Sequence, residues 1–373
     1  MRPVIVLYGA TGYTGRLVTQ ELVDAGAEFV LGGRNAEKLA SLSRDLGQGA
    51  PTRAASVDDP ESLRALLDGV DVLINCAGPF TLAGEPVVRA AVDAGVHYVD
   101  STGEQPFIRM VFDRYGPAAE RKGIVLVPAC GFDYVPGDCI ARLAARGHEP
   151  LDELLLAYWV KDFGMTRGTM RSAIEMLKPG QGVEYRDGDW QTASTNVFRA
   201  SFEFPPPIGR EPVGFYPAGE PITVPRHTDV RNVRAVLSTR AAFPDPLLPL
   251  APYLVPLTAH AFRGPLPALL GRAIDKLPEG PPEDERRAVE WAVVAQGHDS
   301  NGVGVRAAVR GRDVYGLTAR ALVWAARQIE AGDHHGEGAL GPAAAFDPEE
   351  MLGALTDFGV RWTVDAPPAS RVL

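Results

Sequence analysis

The chain opens with an apolar run, Val4 to Leu7, that ends at a glycine, and the same texture recurs through the first third of the sequence. Apolar runs at residues 3–8, 28–32, 52–55, 71–74, 96–99 and 124–127 read as strands. Between them, segments at 13–25, 35–46, 59–67, 84–94 and 110–122 carry the three-to-four-residue spacing of helices. A strand exposed on one face would alternate apolar with polar residues. Strands that are apolar throughout and alternate with helices therefore predict a parallel sheet covered on both faces. Pro136-Gly-Asp138 opens one more helix, to about Arg146.

After Pro150 the pattern changes. Leu151–Val160 and Gln191–Phe204 read as strands of an antiparallel sheet, with a helical segment, Arg167–Leu177, between them. Residues 244–282 are apolar but broken by prolines, so they cannot form one long helix. Arg286–Gln296 and Gly304–Gly311 read as strands and Tyr315–Ala331 as a helix. A short helix from Pro342 and a last strand near 359–364 follow, and no internal repeat is present.

The first strand runs into Gly9-Ala-Thr-Gly12-Tyr-Thr-Gly15. A first glycine there lets the chain turn sharply, a second lets a diphosphate approach the backbone, and a third lets helix and strand pack closely. The helix N-terminus offers N–H groups and a partial positive charge to the phosphates. Thr11 and Thr14 add hydroxyls, and Tyr13 lies in the same loop. The alternative is a tight structural turn. At the end of the second strand, where a carboxylate would hold the ribose 2′-OH of NAD, stand Arg34 and, one helical turn on, Lys38. A guanidinium suits a 2′-phosphate, which points to NADP; the alternative is an arginine capping a surface turn. Ser56-Val57-Asp58 follows the third strand, where an adenine edge would lie, and Cys76-Ala77-Gly78-Pro79-Phe80 follows the fourth, where small residues admit a ribose and nicotinamide.

The strings YGATGYTG, GGRN, NCAGPF, HYVDSTGE and CGFDYVPGD, in this order, resemble the saccharopine dehydrogenase-like oxidoreductases, and within them the bacterial trans-acting enoyl reductase branch. LPEGP (277–281), YGLTA (315–319) and PAAAFDP (342–348) extend the likeness more weakly. The resemblance implies an α/β fold: a Rossmann-type doubly wound parallel sheet with an inserted α+β substrate and dimerisation domain. The expected bounds are 1–148 for the NADP-binding domain, 149–312 for the insertion, and 313–373 for a C-terminal segment returning to the first domain. It also implies that Gly9–Gly15, Arg34 and Cys76–Phe80 contact the cofactor. Relatives often read Gly-Phe-Asp-Ser where this chain has Gly131-Phe132-Asp133-Tyr134, which places an unusual phenol near the expected nicotinamide.

Hydride transfer needs a held nicotinamide, an electrophilic carbon and a proton donor. No tyrosine has a lysine four residues on, which argues against the Tyr-x-x-x-Lys solution. Tyr134 is the first candidate donor, the alternative being a packed tyrosine with a satisfied hydroxyl. Asp133 is a second candidate or a helix cap. Tyr98 and Asp100 end the fifth strand and Gly103 and Glu104 follow it at the same edge; Tyr98, Asp100 and Glu104 are candidates to position nicotinamide or substrate, Gly103 a cofactor contact and Glu104 also a catalytic carboxylate, while Asp100 could equally cap a turn.

Composition narrows the partners. With 373 residues and a net charge of -10, nucleic acid is repelled on average. Cys76, Cys130 and Cys139 form no paired framework and read as small core residues in a reducing cytoplasm. No Cys/His cluster has metal-ligand spacing, Arg2 is followed by too short an apolar run for a signal peptide, and no stretch approaches the roughly 20 residues of a membrane span. Residues 244–282 could line an acyl tunnel, touch a membrane surface or pack a dimer. The favoured reading is an NADP(H)-dependent reductase of an activated C=C bond, with a small-molecule or carrier-bound acyl thioester as substrate and a homodimer as assembly. The alternatives are an imine reductase of the saccharopine-reductase type and a non-catalytic NADPH-binding sensor.

Overall fold

The computed structural model describes residues 4–47, 49–176, 182–193, 200–241 and 266–365. By its internal contacts the chain divides into two compact units, Met1–Val135 with Tyr315–Asp347, and Pro136–Val314 with Pro348–Leu373.

The first unit holds β1 (Ile5–Tyr8), α1 (Tyr13–Asp24), β2 (Phe29–Gly33), α2 (Ala36–Asp45), β3 (Thr52–Ala54), α3 (Pro60–Leu66), β4 (Val72–Asn75), α4 (Phe80–Ala94), β5 (His97–Asp100) and β6 (Val125–Val127), with β15 (Gly338–Ala339) from late in the chain. These strands form one parallel sheet in the order β15-β6-β5-β4-β1-β2-β3. That is the doubly wound order, whose direction of winding reverses between β1 and β4. Ile5, Val6, Leu7, Val72, Leu73 and Ile74 are all fully buried, as an all-apolar strand requires when both its faces are covered. On one face, Val6, Tyr8, Val30, Leu73, Tyr98 and Leu126 pack with Leu63 and Leu66 of α3 and Phe80, Val87 and Val88 of α4.

Two helical expectations change. The helix read over 110–122 is three pieces, Gln105–Met110, a wider turn over Val111–Tyr115, and Gly116–Glu120. The helix read from residue 84 begins four residues earlier, at Phe80, with Pro86 inside it. Pro86 lies in the second turn, beyond the first-turn position where proline is usual, so it hid the start from a pattern reading.

The second unit holds the helix Val135–Ala145 from Pro136 on, and a mixed sheet. Its strands are β7 (Leu151–Lys161), β8 (Val183–Arg186), β9 (Asp189–Thr192), β10 (Ala200–Phe204), β11 (Gly209–Phe215), β12 (Val233–Ser238), β13 (Glu290–Asp299), β14 (Gly304–Arg312) and β16 (Arg361–Asp365). The order is β10-β11-β12-β7-β13-β14-β16, with the β8–β9 hairpin attached to β12. The expectation of a purely antiparallel sheet is corrected: β12 lies parallel to β7, which an isolated hairpin pattern does not reveal. The strand read from Arg286 starts at Glu290, because Glu283–Ala288 makes a helical turn whose Arg286 is buried in an ion pair with Asp313. Of the strand read over 191–204, residues 191–192 belong to β9 and 200–204 to β10, and 194–199 lie outside the described residues. β16 pairs with β14, and residues 348–373 accordingly fall in this unit while 315–347 fall in the first. Most of the proline-broken stretch 244–282 lies outside the described residues; Leu266–Ile274 within it is helical.

Candidate functional site

The site grows from the point where the sheet's winding reverses. β1 and β4 are parallel neighbours, so the loops that leave them meet at the strands' carboxyl ends. Gly9 has φ +86°, and a Cβ there would come within 2.8 Å of the Ala77 backbone nitrogen. Only glycine meets both demands. The loop is pinned by the amides of Gly9 and Ala10, which both donate to the Gly32 carbonyl, and by Gly12 donating to Gly9. A Cβ on Gly15 would collide with the Gly9 carbonyl oxygen and sit 2.9 Å from Ala10. The third glycine thus sets the helix against the strand. At Gly12 a Cβ would meet only the Gly9 oxygen, at 3.3 Å, and the residue is exposed. Gly12 is the N-cap of α1, has no side chain to satisfy the first-turn amides, and no acidic residue follows in that turn. The tip of α1 keeps its partial positive charge facing outward, which is what a diphosphate requires. Thr11 holds Arg16 through its carbonyl, and the Tyr13 ring meets Tyr315 edge-on at 5.4 Å.

Arg34 follows β2 and is exposed. Asn35, not Arg34, caps α2, its side chain accepting the Lys38 amide at 2.9 Å. Neither Arg34 nor Lys38 makes a side-chain hydrogen bond or ion pair among the described residues. Arg34 at the end of β2 and Lys38 in the first turn of α2 thus flank Glu37, with neither cation held by it. Ser56 and Asp58 shape the turn after β3: the Ser56 hydroxyl accepts the Asp58 amide at 3.3 Å, and the Ser56 amide donates to Ser62 at 3.0 Å. Val57 packs on the core below.

The Cys76–Phe80 loop is held from beneath. Asn75, fully buried, accepts the Ala77 amide at 3.0 Å and donates to the Tyr98 hydroxyl at 3.1 Å. Glu104, also fully buried, accepts the amides of Phe80 at 2.8 Å and Thr81 at 2.7 Å and the Thr81 hydroxyl at 2.5 Å. The carboxylate therefore caps α4 and fixes the end of the loop. Desolvation pushes the Cys76 thiol up to about 12, against a hydrogen bond with Ser101, so it stays a thiol at neutral pH.

Asp100 caps two turns with one oxygen, accepting the amides of Thr102 at 2.8 Å and Ala129 at 2.9 Å. Its other oxygen is buried and makes no hydrogen bond among the described residues. Burial pushes this carboxyl up to about 7, opposed by the same backbone bonds from Ala129 and Thr102. Tyr134, completely buried, donates its hydroxyl to the Gly103 carbonyl at 2.9 Å. This is the packed tyrosine with a satisfied hydroxyl. Asp133 is half-buried against Gly103, where a Cβ would come within 3.0 Å of its carboxylate. Thr318, which motif spacing gave no role, donates the support for this loop: its hydroxyl oxygen accepts the Phe132 amide at 3.0 Å, and its methyl fills the space a Gly131 side chain would need. The YGLTA string was the available signal; its partner, 186 residues away, was not legible. Among the described residues no group of three His, Cys, Asp or Glu could hold a metal ion, and no helix is long and apolar enough to cross a membrane.

The saccharopine dehydrogenase NADP-binding domain family matches residues 5–127. A lipid droplet localized protein of Caenorhabditis elegans is 31% identical over 50% of this chain and 43% of its own. A protein of Mycobacterium tuberculosis named as a putative trans-acting enoyl reductase is 37% identical over 46% of this chain and 44% of its own. The chain spans less than half the length of these curated relatives. Apo saccharopine dehydrogenase (L-Glu forming) of Saccharomyces cerevisiae superposes with a TM-score of 0.62 at 14% identity, over 98% of this chain and 100% of that one, which is a likeness of fold. Residues 5–127 are thus similar to the NADP-binding domain of saccharopine dehydrogenases.

Proposed function

We propose that the protein is an NADPH-dependent reductase of an activated C=C bond, acting on an acyl thioester. The observation that carries the reading is the meeting of the Gly9 and Cys76 loops where β1 and β4 part, with Arg34 at the end of β2. Gly9–Gly15, with Thr11, Tyr13 and Thr14, would take the diphosphate; Arg34 and Lys38 the 2′-phosphate; Ser56–Asp58 the adenine edge; Cys76–Phe80 and Gly103 the nicotinamide side. NADPH, when bound, supplies a hydride. The chain's own part is to fix that edge. Glu104 and Asn75 hold the Cys76–Phe80 loop from below, and Tyr134 and Asp100 hold the Gly103 and Ala129 backbones. Asp133, half-buried beside Gly103, is the carboxyl we assign to the substrate side, with Tyr134 behind it.

The choice of C=C over C=N follows the mycobacterial relatives named as enoyl reductases. A reducing cytoplasm accords with the three free cysteines and an acyl thioester substrate with those names, and the reading takes the assembly to be a homodimer. Calorimetry with NADPH and NADH tests the foundation: binding of NADPH with NADH much weaker is expected, and no heat with either dinucleotide refutes the reading. Single-turnover NADPH oxidation with an enoyl thioester against a cyclic imine then tests the substrate class.

A further inference from the structure

The second unit's sheet is rolled. β10 stands first in its order and β14 sixth, yet Arg306 of β14 donates to the Glu203 carbonyl of β10 at 2.6 Å and its guanidinium lies over the Phe202 ring. The inner face is packed along most of its length by Leu155, Ala157, Phe202, Phe204, Val236 and Val294. Toward one end Trp159, Ile208 and Ala308 border this cluster. There a cavity of about 710 Å³ opens, lined by Trp159, the Pro205–Pro207 turn, Ala292, Ala308 and the edge strand β16 with Arg361 and Trp362. Its volume falls in the range of small-ligand sites, which favour the mouths of rolled sheets.

The charge at this mouth is unusual. Arg310 and Arg361 stand directly opposite each other on β14 and β16, and both line the cavity. Like charges directly opposite on neighbouring strands repel. Arg361 is tied to the carbonyls of Thr356 and Val360, which fix its position without neutralising it. Arg310 is exposed and makes no ion pair among the described residues. Arg312, the next on that face, is paired with Glu290. An apolar chamber ending in two opposed guanidiniums is complementary to an apolar chain that ends in a carboxylate, which would accept from both cations and relieve their repulsion.

We propose that this cavity binds a medium- to long-chain fatty acid or acyl carboxylate, tail between Trp159 and Ala308 and head between Arg310 and Arg361. The proposal does not depend on the reductase reading. It is tested by calorimetric titration of the full chain with dodecanoate below its micellar concentration, and with dodecanol as the uncharged control. Dodecanoate is expected to bind at least about tenfold more tightly than dodecanol, the scale of one charge-assisted contact. Arg310→Glu should remove that preference, and Ala308→Phe, which fills the chamber, should weaken both ligands. Because Arg310 is exposed, Arg310→Glu keeps the test decisive should Ala308→Phe fail to fold, as judged by near-ultraviolet circular dichroism. No heat with dodecanoate, or equal affinity in wild type and both variants, overturns the assignment. So does a dimer in sedimentation equilibrium that Arg310→Glu dissociates, since the surface would then belong to a second copy.

Discussion

Glu104 holds Phe80: one carboxylate oxygen accepts the Phe80 amide at 2.8 Å while the other takes the amide and hydroxyl of Thr81. A buried carboxylate so engaged is a helix cap. Glu104→Ala should cost about 3 kcal/mol in urea unfolding, since it strands buried donors. Glu104→Gln keeps one acceptor oxygen and should cost about half as much. With the fold retained, Glu104→Gln should still oxidise NADPH. Complete loss of turnover in a stable Glu104→Gln protein would return it to the chemistry.

The glycine loop separates packing from ligand approach. Gly15→Ala places a methyl on the Gly9 carbonyl and should lower both the melting temperature and NADPH affinity. Gly12→Ala meets only a 3.3 Å neighbour, so the melting temperature should hold while NADPH affinity falls by about tenfold or more. Differential scanning fluorimetry with and without NADPH reads both.

Arg34→Ala should weaken NADPH by about 1.5–3 kcal/mol, the scale of a hydrogen bond to a charged group, and leave NADH unchanged. Equal loss for the two dinucleotides in calorimetry would disconnect Arg34 from the 2′-phosphate.

Tyr134→Phe removes the bond to the Gly103 carbonyl. The expected cost is about 1 kcal/mol of stability, with NADPH affinity unchanged and kcat lowered by less than about tenfold. A fall in kcat of about a hundredfold or more in a stable protein would make Tyr134 the proton donor.

Asp100 gives a pH signature. Burial raises its carboxyl from 3.8 to about 7, so between those values the folded protein keeps a proton that the unfolded chain releases. Stability contributed by the neutral acid is present at low pH and lost as pH rises through that window. Asp100→Asn keeps an acceptor oxygen for Thr102 and Ala129 and cannot ionise. Its melting temperature relative to wild type should therefore improve as pH rises from about 4 to about 7. A pH-independent difference would show that Asp100 does not titrate there.

The pattern of residues alone determined the first unit's core. Val4–Leu7, Val72–Ile74 and their fellows are apolar at every position, and only strands covered on both faces satisfy that. Glycine spacing and Arg34 pointed to a phosphate-binding turn and a 2′-phosphate because both requirements act within a few residues of one strand end. The tertiary structure decided whatever depends on distant partners. It put Glu104 under Phe80, 24 residues back, and Thr318 behind Phe132. It turned the Tyr134 hydroxyl onto Gly103, laid β12 parallel to β7, and faced Arg310 with Arg361. Local sequence encodes propensity and turn chemistry, which act over a few residues. Which buried carboxylate meets which amide, and which cations are forced together, is fixed only when packing closes the chain on itself.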